Sequence, residues 1–86
     1  MYLNGKTFSG DGLRIRFYNE GRYVDVNGTN MSTNVRVSDI GINGQGVAYA
    51  TVQVPGHNGG VTTFTLLAVQ GRAQLIDAND GSVYEY

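Results

Sequence analysis

Asparagine–glycine and aspartate–glycine pairs punctuate this chain from end to end: Asn4-Gly5, Asp11-Gly12, Asn27-Gly28, Asn43-Gly44, Asn58-Gly59 and Asp80-Gly81. Both residues of such a pair tolerate positive φ, which a two-residue hairpin turn demands. The runs between them are short and rich in Val, Ile, Thr, Tyr and Phe, residues that suit a pleated surface. Strands are expected over 2–8, 13–18, 22–27, 33–42 (with a break at Gly41), 46–54, 61–69, 72–76 and 82–86. No window sustains the i, i+3, i+4, i+7 apolar spacing of an amphipathic helix. The chain reads as all-β: an antiparallel meander of seven or eight short strands closing into a small barrel or sandwich, one domain over 1–86. Thirteen glycines against the single Pro55 are therefore turn punctuation. They follow no collagen period and form no linker.

One hairpin can be set residue by residue. Leu13, Ile15 and Phe17 alternate with Arg14, Arg16 and Tyr18, and Val24 and Val26 alternate with Tyr23, Asp25 and Asn27. A four-residue loop over 19–22 places Tyr18 opposite Tyr23, Phe17 opposite Val24, Arg16 opposite Asp25 and Ile15 opposite Val26. Each pair then agrees in character, and a slip of one residue would set Phe17 against a polar partner.

Segments 46–54 and 61–69 differ, because both of their faces are largely apolar. Ala48, Ala50, Val52 and Val54 share a side with Phe64, Leu66 and Ala68, while Val47, Tyr49, Leu67 and Val69 lie on the other. Strands of this kind are usually covered twice. A chain of 86 residues buries only roughly 60–65% of its unfolded surface, so a second wall must come from the sheet's own curvature or from another copy. Tyr49, Leu67, Val69, Tyr84 and Tyr86 are the expected contact residues for a partner. The terminal segments 2–8 and 82–86, which carry few charges, are the expected edges for pairing about a two-fold axis.

The formal net charge of −1 lacks the basic surplus from which nucleic-acid binders draw their affinity. Arg14, Arg16, Tyr18 and Tyr23 nevertheless form a surface cluster of the type that stacks bases. With Arg16 opposite Asp25 and Tyr18 opposite Tyr23, the same residues also make a solvated face or a protein contact. The absence of cysteine excludes a disulfide scaffold, thiolate ligands and a cysteine nucleophile. Neither an apolar leader over the first six residues nor a membrane-length apolar run is present, so a cytoplasmic, non-membrane protein is expected. The sequons Asn27-Gly28-Thr29 and Asn30-Met31-Ser32 are accordingly read as fortuitous.

No segment carries a catalytic or metal-binding pattern. His57 stands alone in the glycine-rich loop Pro55-Gly56-His57-Asn58-Gly59-Gly60 and reads as a solvated turn residue. Asp77-Ala78-Asn79-Asp80-Gly81 has its glycine fifth, where a calcium loop of the helix–loop–helix type needs it sixth, and so reads as a hairpin turn. Gly41-x-x-Gly44-x-Gly46 lacks the following helix and the Lys-Ser/Thr of a phosphate loop. The carboxylates are scattered, with too little chain for both a core and a substrate cleft. The expectation is a protein without enzymatic activity, metal or cofactor.

Leu3-Asn4-Gly5-Lys6-Thr7-Phe8, Asp11-Gly12-Leu13-Arg14-Ile15-Arg16-Phe17 and Gly21-Arg22-Tyr23 together resemble the opening of small bacterial lipocalin-like domains. There, a strand bearing a large aromatic precedes D-G-x-x-x-x-F and G-x-Y. Leu75-Ile76-Asp77-Ala78-Asn79-Asp80-Gly81-Ser82-Val83-Tyr84 resembles their closing hairpin. Phe8 stands where those domains carry tryptophan, and the chain is shorter than theirs. The resemblance implies an up-and-down antiparallel barrel and binding of an apolar ligand. The sequence thus leads to a binding or protein-interaction module that self-associates as a homo-oligomer. A carrier of a small apolar ligand is the alternative, and a single-stranded nucleic-acid binder ranks below both.

Overall fold

The computed structural model describes residues 2–86, which contain strands and no helix. The strands are β1 (Thr7–Gly10), β2 (Leu13–Tyr18), β3 (Tyr23–Val26), β4 (Thr29–Ser32), β5 (Arg36–Ile42), β6 (Ala48–Pro55), β7 (Val61–Val69), β8 (Arg72–Asp77) and β9 (Val83–Glu85). All are antiparallel in one sheet of order β4-β3-β2-β1-β9-β8-β7-β6-β5. Each strand follows its chain neighbour through a hairpin, except that β1 pairs with β9 and β4 does not pair with β5. The sheet curls into a half-barrel that is joined where the first and last strands meet, at Ser9 and Glu85, and open between β4 and β5.

The β2–β3 hairpin has the register that alternation dictates: Ile15↔Val26, Arg16↔Asp25, Phe17↔Val24 and Tyr18↔Tyr23. At Asp11-Gly12 and Asn27-Gly28 both turn residues have positive φ, as a tight hairpin with right-twisted strands requires. β6 and β7 pair from Ala48↔Ala68 to Pro55↔Val61, and β8 continues the ladder with Leu66↔Leu75 and Ala68↔Ala73.

Several boundaries depart from the sequence reading. The expected strand over 2–8 begins only at Thr7, because the Asn4-Gly5 turn folds residues 2–5 back and drops Leu3 into the core at 1% exposure. The expected strand over 33–42 begins only at Arg36, and an additional strand forms over 29–32, giving nine strands in place of seven or eight. Asn27-Gly28 returns the chain along β3 as β4, and residues 33–35 then carry it to β5. Gly41 does not end that strand. A bulge between Ser38 and Gly41, with Asp39 at φ 51°, absorbs the irregularity. The terminal strands are not edges either, since they pair with one another and leave β4 and β5 as the free edges.

The curl covers the inner face of β6 and β7 and leaves Tyr49 and Val69 on their outer face exposed. Phe8, Ile15, Phe17 and Val24 face Val52, Phe64, Leu66, Leu75 and Tyr84 in one core. Phe8 and Phe17 meet edge to face at 5.9 Å, and Phe64 and Tyr84 do so at 6.3 Å. Among the described residues no buried side-chain nitrogen or oxygen lacks a hydrogen-bond partner.

The β1–β9 seam is tight at Gly10, where a Cβ would run into the Val83 carbonyl oxygen and the Tyr84 ring. Gly10→Ala is therefore expected to destabilise the fold by about 1–3 kcal/mol through overpacking. Phe17→Ala, which empties a fully buried position, is expected to cost about 3–5 kcal/mol. Urea unfolding followed by circular dichroism measures both.

Candidate functional site

Where side chains pointing into a barrel are large they fill it, and where they are small they leave room. Along β6, β7 and β8 the inward rows change from large to small. Val52 faces Phe64 in the middle, Ala50 faces Leu66 one row on, and the next row is Ala48–Ala68–Ala73. The alanine end encloses a cavity of about 270 Å³ bounded by Leu3, Val37, Ile40, Ala48, Ala50, Leu66 and Ala68, with Tyr2 and Tyr49 at its margin. That volume lies just under the roughly 300–1,000 Å³ usual for small-molecule sites. Ile40 and Ile42 stand beside it on the free edge of β5, exposed at 76% and 73%. Together they form an aliphatic lip on an aliphatic hollow.

The opposite end is narrower, about 110 Å³, between Ile15, Val24, Val26, Met31, Val54 and Phe64. The β6–β7 loop reaches across it toward β4, where the His57 Nε2 lies 3.3 Å from the Asn30 carbonyl oxygen. His57 faces neither a second histidine nor a carboxylate there, and its ring contact is one that ties the loop to the opposite wall.

On the outer surface of β2 and β3 the structure brings Arg14, Arg16, Tyr18 and Tyr23 onto one face. Arg16 pairs with Asp25 at 3.7 Å and lies 4.7 Å over the Tyr18 ring. The Tyr18 hydroxyl donates to Asp25 Oδ1 at 3.0 Å and accepts from the Asn30 amide at 3.1 Å, and the Tyr18 and Tyr23 rings meet edge to face at 5.5 Å. Asp25 is thus the hub of a wired patch. The Tyr18 ring meets Tyr23 edge to face and has the Arg16 guanidinium over it.

The expected partner-contact residues divide. Tyr49 and Leu67 are direct cross-strand neighbours on the outer face of β6 and β7, with Val69 beyond them and partly exposed. Tyr86 is exposed at the seam, where its ring lies 6.0 Å from Phe8 and 5.3 Å from the Lys6 ammonium. Tyr84 does not belong with them. The alternation of β9 turns Val83 and Glu85 outward and Tyr84 inward, to 5% exposure against Phe64.

The Asp77–Gly81 segment is a hydrogen-bonded turn. Asp77 Oδ1 accepts from the Asn79 and Asp80 main-chain N–H groups, and Asp80 Oδ1 from that of Ser82 at 2.8 Å. The main-chain and side-chain hydrogen bonds from Ser82 hold the Asp80 carboxyl below its ordinary value. Among the described residues no group of three His, Asp or Glu side chains is placed to hold a metal ion, and no helix is long and apolar enough to cross a membrane.

The alanine row and the Ile40–Ile42 lip were absent from the sequence-derived contact set. Ala48, Ala50 and Ala68 sharing one face was the available signal: three small residues at inward positions imply unfilled volume.

The wiring of the outer patch predicts unequal effects of two substitutions. Asp25→Ala leaves the part-buried Tyr18 O–H without its acceptor and should cost about 1–3 kcal/mol. Arg16→Ala removes an exposed ion pair and should cost at most about 1 kcal/mol. Urea titration of both variants measures the difference, and equal costs would contradict the hub assigned to Asp25. Compared with family models, with curated proteins and with solved structures, the chain has no match.

Proposed function

We propose that the chain is a non-enzymatic binding module that takes a small apolar group into the alanine-lined end of its half-barrel. The observation that carries this reading is the concave hollow of about 270 Å³ between Leu3, Ala48, Ala50, Leu66 and Ala68, edged by two isoleucines that the fold leaves in water. Burying such a lip releases on the order of 25 cal/mol for each Å² of apolar surface removed from water, which a ligand or an apolar side chain would supply. The curled meander agrees with the barrel that the lipocalin-like resemblance implies, and the resemblance favours the same class of ligand. Engagement of Asp25, Asp77 and Asp80 in pairs and turns supports a role without acid–base chemistry.

Self-association is the second reading, favoured by the outer face of β6 and β7. Tyr49, Leu67 and Val69 present a partly exposed apolar strip there that the curl does not cover. A homo-oligomer would bury it. A nucleic-acid role is weaker, since the Arg16 and Tyr18 groups are already engaged with Asp25 and Asn30 and the net charge is −1.

Binding of anilinonaphthalene sulfonate, followed by fluorescence and competed by a medium-chain alcohol, tests the first reading. Ala68→Phe, which fills the hollow, and Ile40→Asp, which breaks the lip, should each weaken probe affinity by about tenfold or more, as a loss of roughly 1.4 kcal/mol does. Leu67→Lys, on the opposite face of the same strand, should leave it unchanged. Unaltered binding in both mouth variants, each folded by circular dichroism, would overturn the assignment. Light scattering at micromolar concentration tests the second reading: an oligomer that Leu67→Lys dissociates supports it, and a monomeric parent protein contradicts it.

A further inference from the structure

The chain carries four Asn-Gly pairs, and asparagine followed by glycine is chemically fragile because a residue without Cβ leaves its main-chain nitrogen open to approach the preceding side chain. Folding treats the four unequally. Asn4 Oδ1 accepts from the Glu20 N–H at 3.0 Å while the Gly5 N–H donates to the Phe17 carbonyl at 2.9 Å, so both reacting groups are tied to the β2–β3 hairpin. Asn27 Oδ1 accepts from the Arg14 N–H at 2.9 Å, and the Asn27 N–H donates to the Arg14 carbonyl at 2.9 Å. Asn43 Oδ1 accepts from both Gln45 and Val47 N–H groups, at 2.9 and 3.1 Å, and the Asn43 N–H closes the loop on the Val47 carbonyl.

Asn58 is held less firmly. Among the described residues its Oδ1 accepts only from the Gly60 N–H two residues away, and the Gly59 N–H reaches the Gly56 carbonyl at 3.4 Å, near the limit of a hydrogen bond. Both contacts lie within an exposed loop that includes Gly56, Gly59 and Gly60. The loop is closed by the Gly56 N–H on the Gly60 carbonyl at 2.7 Å and touches β4 through the His57 ring. The contacts of Asn58 and Gly59 themselves are all within it, whereas freeing Asn4 or Asn27 needs separation from another strand or hairpin.

We propose that Asn58-Gly59 is a site of spontaneous deamidation and isomerisation in the folded protein. The Gly59 main-chain nitrogen gives its proton to solvent base and adds to Asn58 Cγ. A C–N bond forms, the Cγ–Nδ2 bond breaks, and ammonia leaves with a proton regained from solvent. Water then opens the succinimide at either carbonyl to give aspartate or isoaspartate. Isoaspartate adds a methylene to the main chain of the loop whose His57 reaches Asn30 on β4, so the modification alters the strap across the narrow end of the barrel.

Incubation of the folded protein at mildly alkaline pH, with fragment mass spectrometry that distinguishes isoaspartate from aspartate, tests the proposal. Asn58 should convert about tenfold or more faster than Asn4 and Asn27, the difference between a local and a sub-global opening, and ahead of Asn43. In urea the four sites should converge, and Asn58→Gln should remove the fast phase of the folded protein. Conversion of Asn4, Asn27 or Asn43 as fast as Asn58 in the folded state would overturn the proposal. So would an Asn58 that stays intact while the unfolded chain reacts, or a lead for Asn58 that persists undiminished in urea.

Discussion

Pairing of β1 with β9 is the contact on which the rest of this structure depends. Nine short strands in a flat meander would leave a long sheet with one face of phenylalanine, leucine and valine in water. Bringing Ser9 against Glu85 turns the sheet back on itself, sets Phe8 and Phe17 against Leu75 and Tyr84, and removes the first and last strands as free edges. The close approach is possible because residue 10 is glycine, with the Val83 carbonyl where a side chain would begin.

Closing the sheet at that seam opens it elsewhere. Across residues 33–35 the Val35 N–H donates to the Arg22 carbonyl at 2.9 Å and β4 does not pair with β5, so the two become edges of different kinds. β4 is only four residues long, while β5 is bulged at Asp39 and bears Arg36, features that discourage uncontrolled strand addition. The β5 edge also runs beside the alanine row, so an apolar hollow and the least protected aliphatic side chains occur together. This coincidence, produced by where the barrel fails to close, gives the proposed binding role its location. The other end is narrowed by larger side chains and strapped by the His57 loop.

Much of this architecture was legible in the residues. Alternation of Leu13, Ile15 and Phe17 with arginine and tyrosine specified the β2–β3 register because a slip by one would have buried a charge, and 13–18 and 61–69 are strands over the bounds expected. What escaped were features set by partners distant in sequence. Tyr84 was read as a surface contact because nothing local shows that β9 lies against β1 and β8, whose inward faces decide its parity. Leu3 was read as part of a strand because its apolar neighbours fit one, yet the Asn4-Gly5 turn makes it a plug. By contrast, the turn at Gln70-Gly71, with φ of 47° and 83°, falls in the gap expected between strands 61–69 and 72–76. The hollow was hardest to foresee, since a cavity is the difference between the space a barrel encloses and the side chains it receives, and only the second is written in the sequence.

Nuclear Overhauser contacts across the two ends of the sheet test the central claim most directly. The curled arrangement predicts main-chain contacts between Ser9 and Glu85, side-chain contacts from Phe8 to Tyr86 and Leu75 to Tyr84, and no ladder of main-chain contacts joining β4 to β5. A continuous β4–β5 ladder, or terminal strands without contact to each other, would contradict it.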